Sequence, residues 1–306
     1  MEIHQIEYIT RLADTQSLTK TAEEMFISPS ALSQHLSKLE NSLGTPLFKR
    51  VKGEWPLTEA GRAYVEAGKD IVKRFRMMKK DISDIAACES GVINIGISSN
   101  KSSLMFANVF SKFKERYPNI KLNLTEGRAR DVNIQAEQGI VDLAFSSTGF
   151  EHPGLASQIL LSERFVLSVP KTHHLARLAN NAPKGKLPTV DLRLFRDELF
   201  MLTTPGLTTR AVTNKMFDEA GFMPNVLFEL NAKTLYILVE SGCGISIIPM
   251  GYIRENSASV YFFTTPLGMW DNIVAYSKTS RLSHAEEYFI TLAKGFYETE
   301  YGYINK

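Results

Sequence analysis

The spacing of the apolar residues changes near residue 90, and this change constrains the fold more than any other feature of the chain. Before it, apolar residues recur every three or four positions, as in amphipathic helices. After it, short runs rich in valine and isoleucine, such as residues 92–97, alternate with segments of helical spacing. This alternation predicts a largely parallel sheet covered by helices. We therefore expect a helical N-terminal part followed by an α/β part.

Composition narrows the class of protein. The 306 residues suggest two domains, at roughly 150 residues per domain. The chain contains 35 Lys and Arg residues and 33 Asp and Glu residues, so its net charge neither favours nor excludes binding to nucleic acid. Two cysteines argue against a disulfide scaffold and against a multi-cysteine zinc site. Because no run of about 18 apolar residues and no signal-peptide pattern occurs, we expect no membrane partner and a cytoplasmic location.

Residues 17–43 carry the strongest motif, two helices joined by a tight turn. The first covers about 17–26; Ser28 suits the cap of the second, which runs over 29–43, and Pro29 suits its first position. The apolar residues of the second helix are spaced so that they form one stripe along it, Leu32, Leu36, Leu39 and Leu43. Its opposite face carries candidate contacts for base edges and phosphates, Ser30, Ser33, Gln34, Ser37 and Lys38. The pattern predicts a helix-turn-helix; the alternative is a small helical domain with a solvated polar face.

Residues 47–57 predict a short two-stranded wing after this motif. A turn at Lys52 separates its two strands, and Arg50 lies beside that turn. We expect both basic side chains to contact DNA. Residues 1–66 contain seven basic and nine acidic residues, a formal charge of −2. Affinity for DNA must therefore come from the local placement of charge.

Residues 59–86 predict one long helix, which would span roughly 40 Å. Apolar residues recur along it at intervals of three and four, which suits a coiled-coil-like partner. The candidate dimerisation residues are Tyr64, Ile71, Phe75, Met78 and Ile82. The alternative is that this face packs against its own domain.

These motifs together resemble the LysR-type transcriptional regulator family over essentially the whole chain. The matching N-terminal segments are residues 17–23, 27–33, 38–40, 47–50 and 57–61. The resemblance implies a multidomain α plus α/β protein, with a winged helix-turn-helix at 1–58, a linker and dimerisation helix at 59–88 and an effector-binding domain at 89–306. That last domain resembles type 2 periplasmic binding proteins, with lobe one at 91–161 and 265–300 and lobe two at 162–264.

The resemblance implies a ligand-responsive transcriptional regulator, and not an enzyme, that reads a dyad-like promoter site. It implies double-stranded DNA and further copies of the chain as partners, as a dimer or tetramer, with RNA polymerase as another candidate. It implies a small-molecule effector and no other cofactor or metal. Arg50 resembles the family's phosphate-contacting wing arginine. The family often has glutamine where Pro29 stands, so we expect base contacts from the residues that follow Pro29.

The effector site is expected between the lobes. In open parallel sheets ligands bind beyond the carboxyl ends of the strands. The polar residues at such positions are Ser98, Ser99, Asn100, Arg128, Thr203 and Thr204. Hydroxyl groups and helix N-termini suit a small anion, such as a carboxylate. The alternative is that these residues cap loops and bind no ligand.

Two other classes of function are less well supported by the sequence. The second domain alone would fit a solute-binding transport protein, but the 88 preceding residues and the missing signal pattern argue against it. An α/β enzyme acting on a small acid would need a catalytic constellation, and neither Gly-x-Ser-x-Gly nor His-Glu-x-x-His occurs. The adjacent His173 and His174 are expected in a surface turn. Cys88 and Cys243 lie in different segments and lack the arrangement of a redox pair.

Overall fold

A computed structural model describes residues 3–49, 51, 54–85, 90–148, 152–181, 186–254 and 256–302. The chain separates into two compact units, Met1–Cys88 and Glu89–Lys306. The helices of the first unit are α1 (Ile3–Thr15), α2 (Leu18–Glu24), α3 (Pro29–Leu43) and α4 (Glu59–Ile85). Among the described residues, no helix combines the length and the apolar character needed to cross a membrane.

Local sequence accounts for the helix ends in the first unit. The Ser17 hydroxyl accepts a hydrogen bond from the backbone N–H of Lys20 and caps α2. Ser28 caps α3 in the same way, and Pro29 follows it, where the missing N–H costs nothing. Gly44 ends α3 with a left-handed φ of 68°. Two isolated bridges, Phe48 with Leu57 and Val51 with Glu54, form the wing.

One apolar core holds the first unit together. Its buried members are Ile9, Leu12, Leu36, Leu39, Leu47, Phe48 and Val65. The predicted stripe on α3 is buried at its first three leucines, whereas Leu43 is 45% exposed. Leu43 lies in the last turn, just before Gly44 reverses the chain, so no element of this unit covers it.

The second unit contains both strands and helices, beginning with a strand at Gly91. Its strands are β1 (Gly91–Ile97), β2 (Ile120–Glu126), β3 (Leu143–Ser147), β4 (Leu155–Pro170), β5 (Thr189–Asp191), β6 (Leu199–Thr203), β7 (Asn225–Leu230), β8 (Ser246–Pro249), β9 (Ser259–Thr265) and β10 (Met269–Ser277). Its helices are α5 (Asn100–Arg116), α6 (Ala129–Glu137), α7 (Thr208–Ala220), α8 (Ala232–Glu240) and α9 (His284–Tyr301).

The main sheet has the order β2-β1-β3-β10-β4-β9-β5, with β8 also paired to β4, and β6 and β7 form a separate pair. Strand β1 is parallel to β2 and β3, but β10 runs antiparallel to β3 and β4, and β4 runs antiparallel to β8 and β9. The prediction of a largely parallel sheet is therefore wrong at its centre. The reason is that β4 and β10 carry the chain between the lobes in opposite directions.

Each lobe has a core of its own. Lobe one contains β1, β2 and β3, and its core includes Phe113, Phe145 and Phe289. Lobe two contains β5 to β9, and its core includes Phe165, Phe200 and Phe262. Strand β4 pairs with β10 as far as Arg164 and with β8 and β9 from Phe165 onward, so the chain changes lobe at this point.

Candidate nucleic-acid interface and effector cleft

Helix α3 presents a polar face to solvent. Ser30, Gln34 and Lys38 are exposed, and Ser33 and Ser37 are half-buried beside them. The buried leucines of the opposite face hold the helix against the core. The structure therefore brings the five candidate contacts of α3 onto one side of a fixed helix, as recognition of a duplex requires.

The wing is attached to the end of α3 by a carboxylate. The Glu40 side chain accepts hydrogen bonds from the backbone N–H groups of Leu47 at 2.7 Å and Phe48 at 3.2 Å. Sequence reasoning missed this role. The signal in the sequence was an acidic residue near the end of a helix otherwise suited to DNA, a few residues before the predicted wing. Of the predicted wing contacts, Arg50 and Lys52 lie outside the described residues.

A close backbone approach places the wing on α4. The Thr58 hydroxyl donates to the carbonyl of Pro46 at 2.7 Å and accepts from the N–H of Gly61 at 2.9 Å. A β-carbon on Gly61 would lie 2.0 Å from the carbonyl oxygen of Leu47. Only glycine fits there, so this residue sets how closely the wing and α4 pack.

One face of α4 packs against α1. Val65 and Val72 are buried, and a β-carbon on Gly68 would lie 2.8 Å from a methyl carbon of Ile6. The ammonium of Lys69 lies 2.7 Å from the carboxylate of Asp14. This side of the helix is therefore covered by its own domain.

Another face of α4 stays open. Ile71, Met78 and Ile82 are 43%, 47% and 57% exposed. Phe75 is half-buried, with the Lys79 ammonium 4.7 Å from its ring centre. Tyr64, the remaining predicted dimerisation residue, differs because it packs against the core of its own domain. Among the described side chains of α4, the exposed apolar face thus runs from Ile71 to Ile82.

The predicted serines lie together at the start of α5. The Ser99 hydroxyl accepts from the N–H of Ser102 and caps the helix. The backbone N–H of Ser98 donates to the carbonyl of Phe145 at 3.1 Å. Asn100 begins α5, and its side chain lies outside the described part of the structure. Both serines follow the carboxyl end of β1, and both already make hydrogen bonds within the protein, Ser98 to β3 and Ser99 to Ser102.

Arg128 reaches the loop that follows β6. A β-carbon on Gly206 would lie 3.5 Å from Nη1 of Arg128, so the guanidinium borders this loop. The Thr203 hydroxyl is buried and lies 2.9 Å from the hydroxyl of Thr209. Thr204 is half-buried, and its N–H donates to the carbonyl of Leu230. The structure thus brings Arg128 of lobe one beside the predicted segment of lobe two, with the Thr203 hydroxyl already paired.

The adjacent histidines share one carboxylate. His173 Nδ1 accepts from the N–H of Leu175 at 3.3 Å, so in the neutral ring Nε2 carries the proton and can donate it to Glu198 at 3.2 Å. His174 Nε2 lies 3.7 Å from the same carboxylate. In this tautomer Glu198 is hydrogen-bonded to His173, whereas His174 only lies near the carboxylate.

Comparison with known proteins decides the family. The family described as LysR substrate binding domain matches residues 87–296, and the family described as bacterial regulatory helix-turn-helix protein, lysR family, matches residues 3–62. The chain belongs to the LysR family of transcriptional regulators. As a LysR-type protein it is a ligand-responsive, DNA-binding regulator of transcription, and members of this family are not enzymes.

Individual LysR-type relatives are distant in sequence. The Bacillus subtilis (strain 168) regulator YcgK, itself described as uncharacterized, is 29% identical over 274 residues, 86% of this chain and 85% of that protein. Full-length OxyR from Pseudomonas aeruginosa has a TM-score of 0.68 and 18% identity, covering 97% of this chain and 95% of that one. CbnR, solved with its target DNA, has a TM-score of 0.57 and 19% identity, covering 96% and 99%. These two structures establish the fold alone.

A buried charge pair lies where the lobes of this LysR-type regulator meet. Glu163 of β4 accepts hydrogen bonds from Lys101 of α5, from the indole N–H of Trp270 at 2.8 Å and from the N–H of Gly251 at 2.6 Å. Burial lowers the pKa of Lys101, and the carboxylate of Glu163 opposes that effect. Sequence reasoning missed this pair, although Glu163 lies between two short apolar runs, residues 159–161 and 165–167.

Proposed function

We propose that this regulator reads a dyad-like promoter site as a dimer and that a small, anionic effector bound between the lobes switches it. One observation supports the proposal that the protein reads DNA. Helix α3 is held rigidly by its buried leucines while Ser30, Gln34 and Lys38 stand exposed on its other side. Hydroxyl and amide groups suit base edges, and a lysine suits a phosphate.

The remaining DNA contacts follow from neighbouring positions. Ser33 and Ser37 flank the exposed face of α3. The resemblance assigns Arg50 to a phosphate beside the wing, and the charge of Lys52 at the predicted turn of the wing suits another. Pro29 occupies the first helical position and cannot donate a hydrogen bond. The base-reading role that the family often gives to that position therefore passes to Ser30 and the residues after it. The relative CbnR has been solved with its target DNA, which supports docking of this domain on a duplex.

The dimer contact is assigned to the open face of α4. Ile71, Phe75, Met78 and Ile82 lie three or four residues apart, so they form one stripe. The occupant is a second copy of the same helix, because two reading heads are needed for two half-sites. Tyr64 contributes to the domain's own core and only borders this contact. Two such dimers would associate to form a tetramer. The regulator would act in the cytoplasm, where the DNA-bound dimer or tetramer could contact RNA polymerase.

The effector site is assigned to the cleft of the domain at 89–306. Arg128 supplies a positive charge from lobe one beside the 203–206 loop of lobe two. The N-terminus of α5, with Ser98, Ser99 and Asn100, adds N–H groups and a favourable helix dipole. Thr204 adds a polar group from lobe two, and Thr203 would have to exchange its bond with Thr209 for the ligand. This chemistry suits a small carboxylate.

The first experiment is a footprint of the purified protein on DNA flanking its own gene, over a salt series without ligand. Two protected half-sites about one helical turn or a multiple apart, weakening with salt, would support paired reading heads. Protection of one continuous site of a single head's width would contradict the dimer. No protection anywhere on this DNA would refute self-regulation at that site.

A second experiment addresses the effector. A library that contains small carboxylates, small cations and neutral sugars is screened for compounds that raise the melting temperature of the protein. Any hit should lose its effect in Arg128→Met and keep it in Arg130→Met, which alters an exposed arginine two residues away. Equal responses of the two variants would contradict the placement, and hits confined to cations or neutral sugars would contradict the anionic class.

A further inference from the structure

Helix α2 ends in a Schellman motif, a pair of backbone hydrogen bonds typical of helix C-termini. The N–H of Phe26 donates to the carbonyl of Glu23 at 3.2 Å, and the N–H of Ile27 donates to the carbonyl of Ala22 at 3.0 Å. The motif needs a left-handed backbone just after the helix, and Phe26 adopts it with a φ of 56°. Glycine is usual at this position because a β-carbon strains the conformation.

The chain follows this rule at its other Schellman motifs, although α1 also ends at a left-handed residue other than glycine, Gln16 with a φ of 54°. Among the described residues, the same pair of bonds also ends α3, α6, α7 and α8, and glycine takes the left-handed position each time, at Gly44, Gly139, Gly221 and Gly242. Helix α2 is the exception. Because glycine would form the same turn with less strain, the turn itself does not explain why phenylalanine stands at position 26.

Packing within the domain does not explain the phenylalanine at position 26 either. Phe26 is 95% exposed, more than any other large apolar side chain in the described part of the chain. Single exposed apolar residues are ordinary. Here, however, the same residue both strains the backbone and leaves an aromatic ring in water. A partner that covers the ring would offset both costs.

The position of the ring indicates the partner. Phe26 lies two residues before Ser28, the cap of α3, and four before Ser30, the first exposed residue of the reading face. In a helix-turn-helix the N-terminal residues of the second helix contact base edges, so the turn ahead of them lies at the edge of the major groove. The apolar surfaces of DNA at this edge are deoxyribose carbons and thymine methyl groups.

We propose that Phe26 packs against the sugar and thymine methyl surface of the bound duplex. The inference rests on the proposed reading of DNA by α3 and adds an uncharged contact to it. An apolar contact releases no counterions, so it strengthens binding equally at all salt concentrations. This property distinguishes it from a phosphate contact.

The test compares wild type with Phe26→Gly on duplexes that the wild-type protein enriches from a random pool. Glycine relieves the strain, so the variant should melt no lower than wild type. Its affinity by fluorescence anisotropy should be about tenfold weaker, with an unchanged slope against salt. Met223→Gly is the matched control, because it removes another highly exposed side chain, in the second unit, and should bind as wild type does.

Uracil scanning then locates the contact. Replacing single thymines by uracil removes one methyl group at a time, and a position that weakens wild type but not Phe26→Gly marks the base that the ring touches. Equal affinity of Phe26→Gly and wild type would overturn this inference and leave DNA reading by α3 intact. Enrichment of no duplex by wild type would overturn both. A loss of affinity that accompanies a loss of dimer in sedimentation would assign Phe26 to a second copy and overturn the DNA contact.

Discussion

Lys101 and Glu163 form an ion pair that water does not reach, with side chains 2% and 0% exposed. The ammonium also lies 4.8 Å and 5.1 Å from the ring centres of Tyr252 and Tyr301. Lys101 belongs to lobe one, and Glu163 lies on the strand that leads into lobe two, where the N–H of Gly251 also binds it. The pair therefore joins the lobes near the point where β4 passes from one to the other.

Breaking this pair should destabilise the effector domain strongly. Lys101→Met leaves the Glu163 carboxylate buried without its cation, which costs about 3–5 kcal/mol. Urea unfolding followed by circular dichroism measures the loss. Lys112→Met, an exposed lysine on the same helix, should change stability by less than about 0.5 kcal/mol. A similar small effect for both variants would show that Glu163 is stabilised by its N–H donors alone.

Gly61 should tolerate no side chain. A β-carbon there would lie 2.0 Å from a backbone oxygen that cannot move alone, so Gly61→Ala should cost about 1–3 kcal/mol, as overpacking does. Gly295 is the matched control, because it lies within α9 with nothing near the position of a β-carbon. Gly295→Ala should stabilise by about 0.5–1 kcal/mol. Calorimetric unfolding compares the two, and a stabilised Gly61→Ala would contradict the close approach.

Lys38 should contribute to DNA affinity through salt-dependent contacts. If it neutralises one phosphate, Lys38→Ala should reduce the slope of log affinity against log salt by about 0.9. Lys215→Ala changes another exposed lysine, on α7 of the second unit, and should leave the slope unchanged. Anisotropy titrations over a salt series measure both. A Lys38→Ala line parallel to wild type would remove this residue from the phosphate contacts.

The sequence predicts most of the elements because their signals are local. Serine caps, Pro29, the leucine stripe of α3 and the valine–isoleucine run of β1 all act within a few residues. The antiparallel centre of the sheet was missed because strand direction depends on where β4 and β10 pass between lobes, which no local pattern records. The Lys101–Glu163 pair was missed for a related reason, since its partners lie 62 positions apart.

The open face of α4 should be required for the dimer. Met78→Glu places a charge in the middle of the apolar stripe, and in a close pair of helices it would be buried without a partner. Sedimentation equilibrium should show a weaker dimer than for wild type. Leu194→Glu, at a residue of similar exposure in the second unit, should not change association. An unaltered dimer in Met78→Glu would assign self-association to another surface.

Three tyrosines, the buried Tyr297 and the partly buried Tyr236 and Tyr252, should make the effector domain sensitive to alkali. Burial is the largest cause that raises the pKa of Tyr236, Tyr252 and Tyr297 above the ordinary value of 10.0. Above pH 10 the unfolded chain releases these protons while the folded domain keeps them, so the contribution of these tyrosines to stability is constant below about pH 10 and falls above it. Each such tyrosine contributes a slope of about 1.4 kcal/mol per pH unit.

Tyr236→Phe isolates one of these groups. Its ring stacks on Tyr252 with centres 3.8 Å apart, and phenylalanine preserves that contact. The variant should match the stability of wild type at pH 8 and lose stability more slowly above pH 10, by about 1.4 kcal/mol per pH unit. Urea unfolding at pH 8, 10 and 11 measures both quantities. Identical slopes for the variant and wild type would mean that Tyr236 ionises as readily in the folded domain as in the unfolded chain.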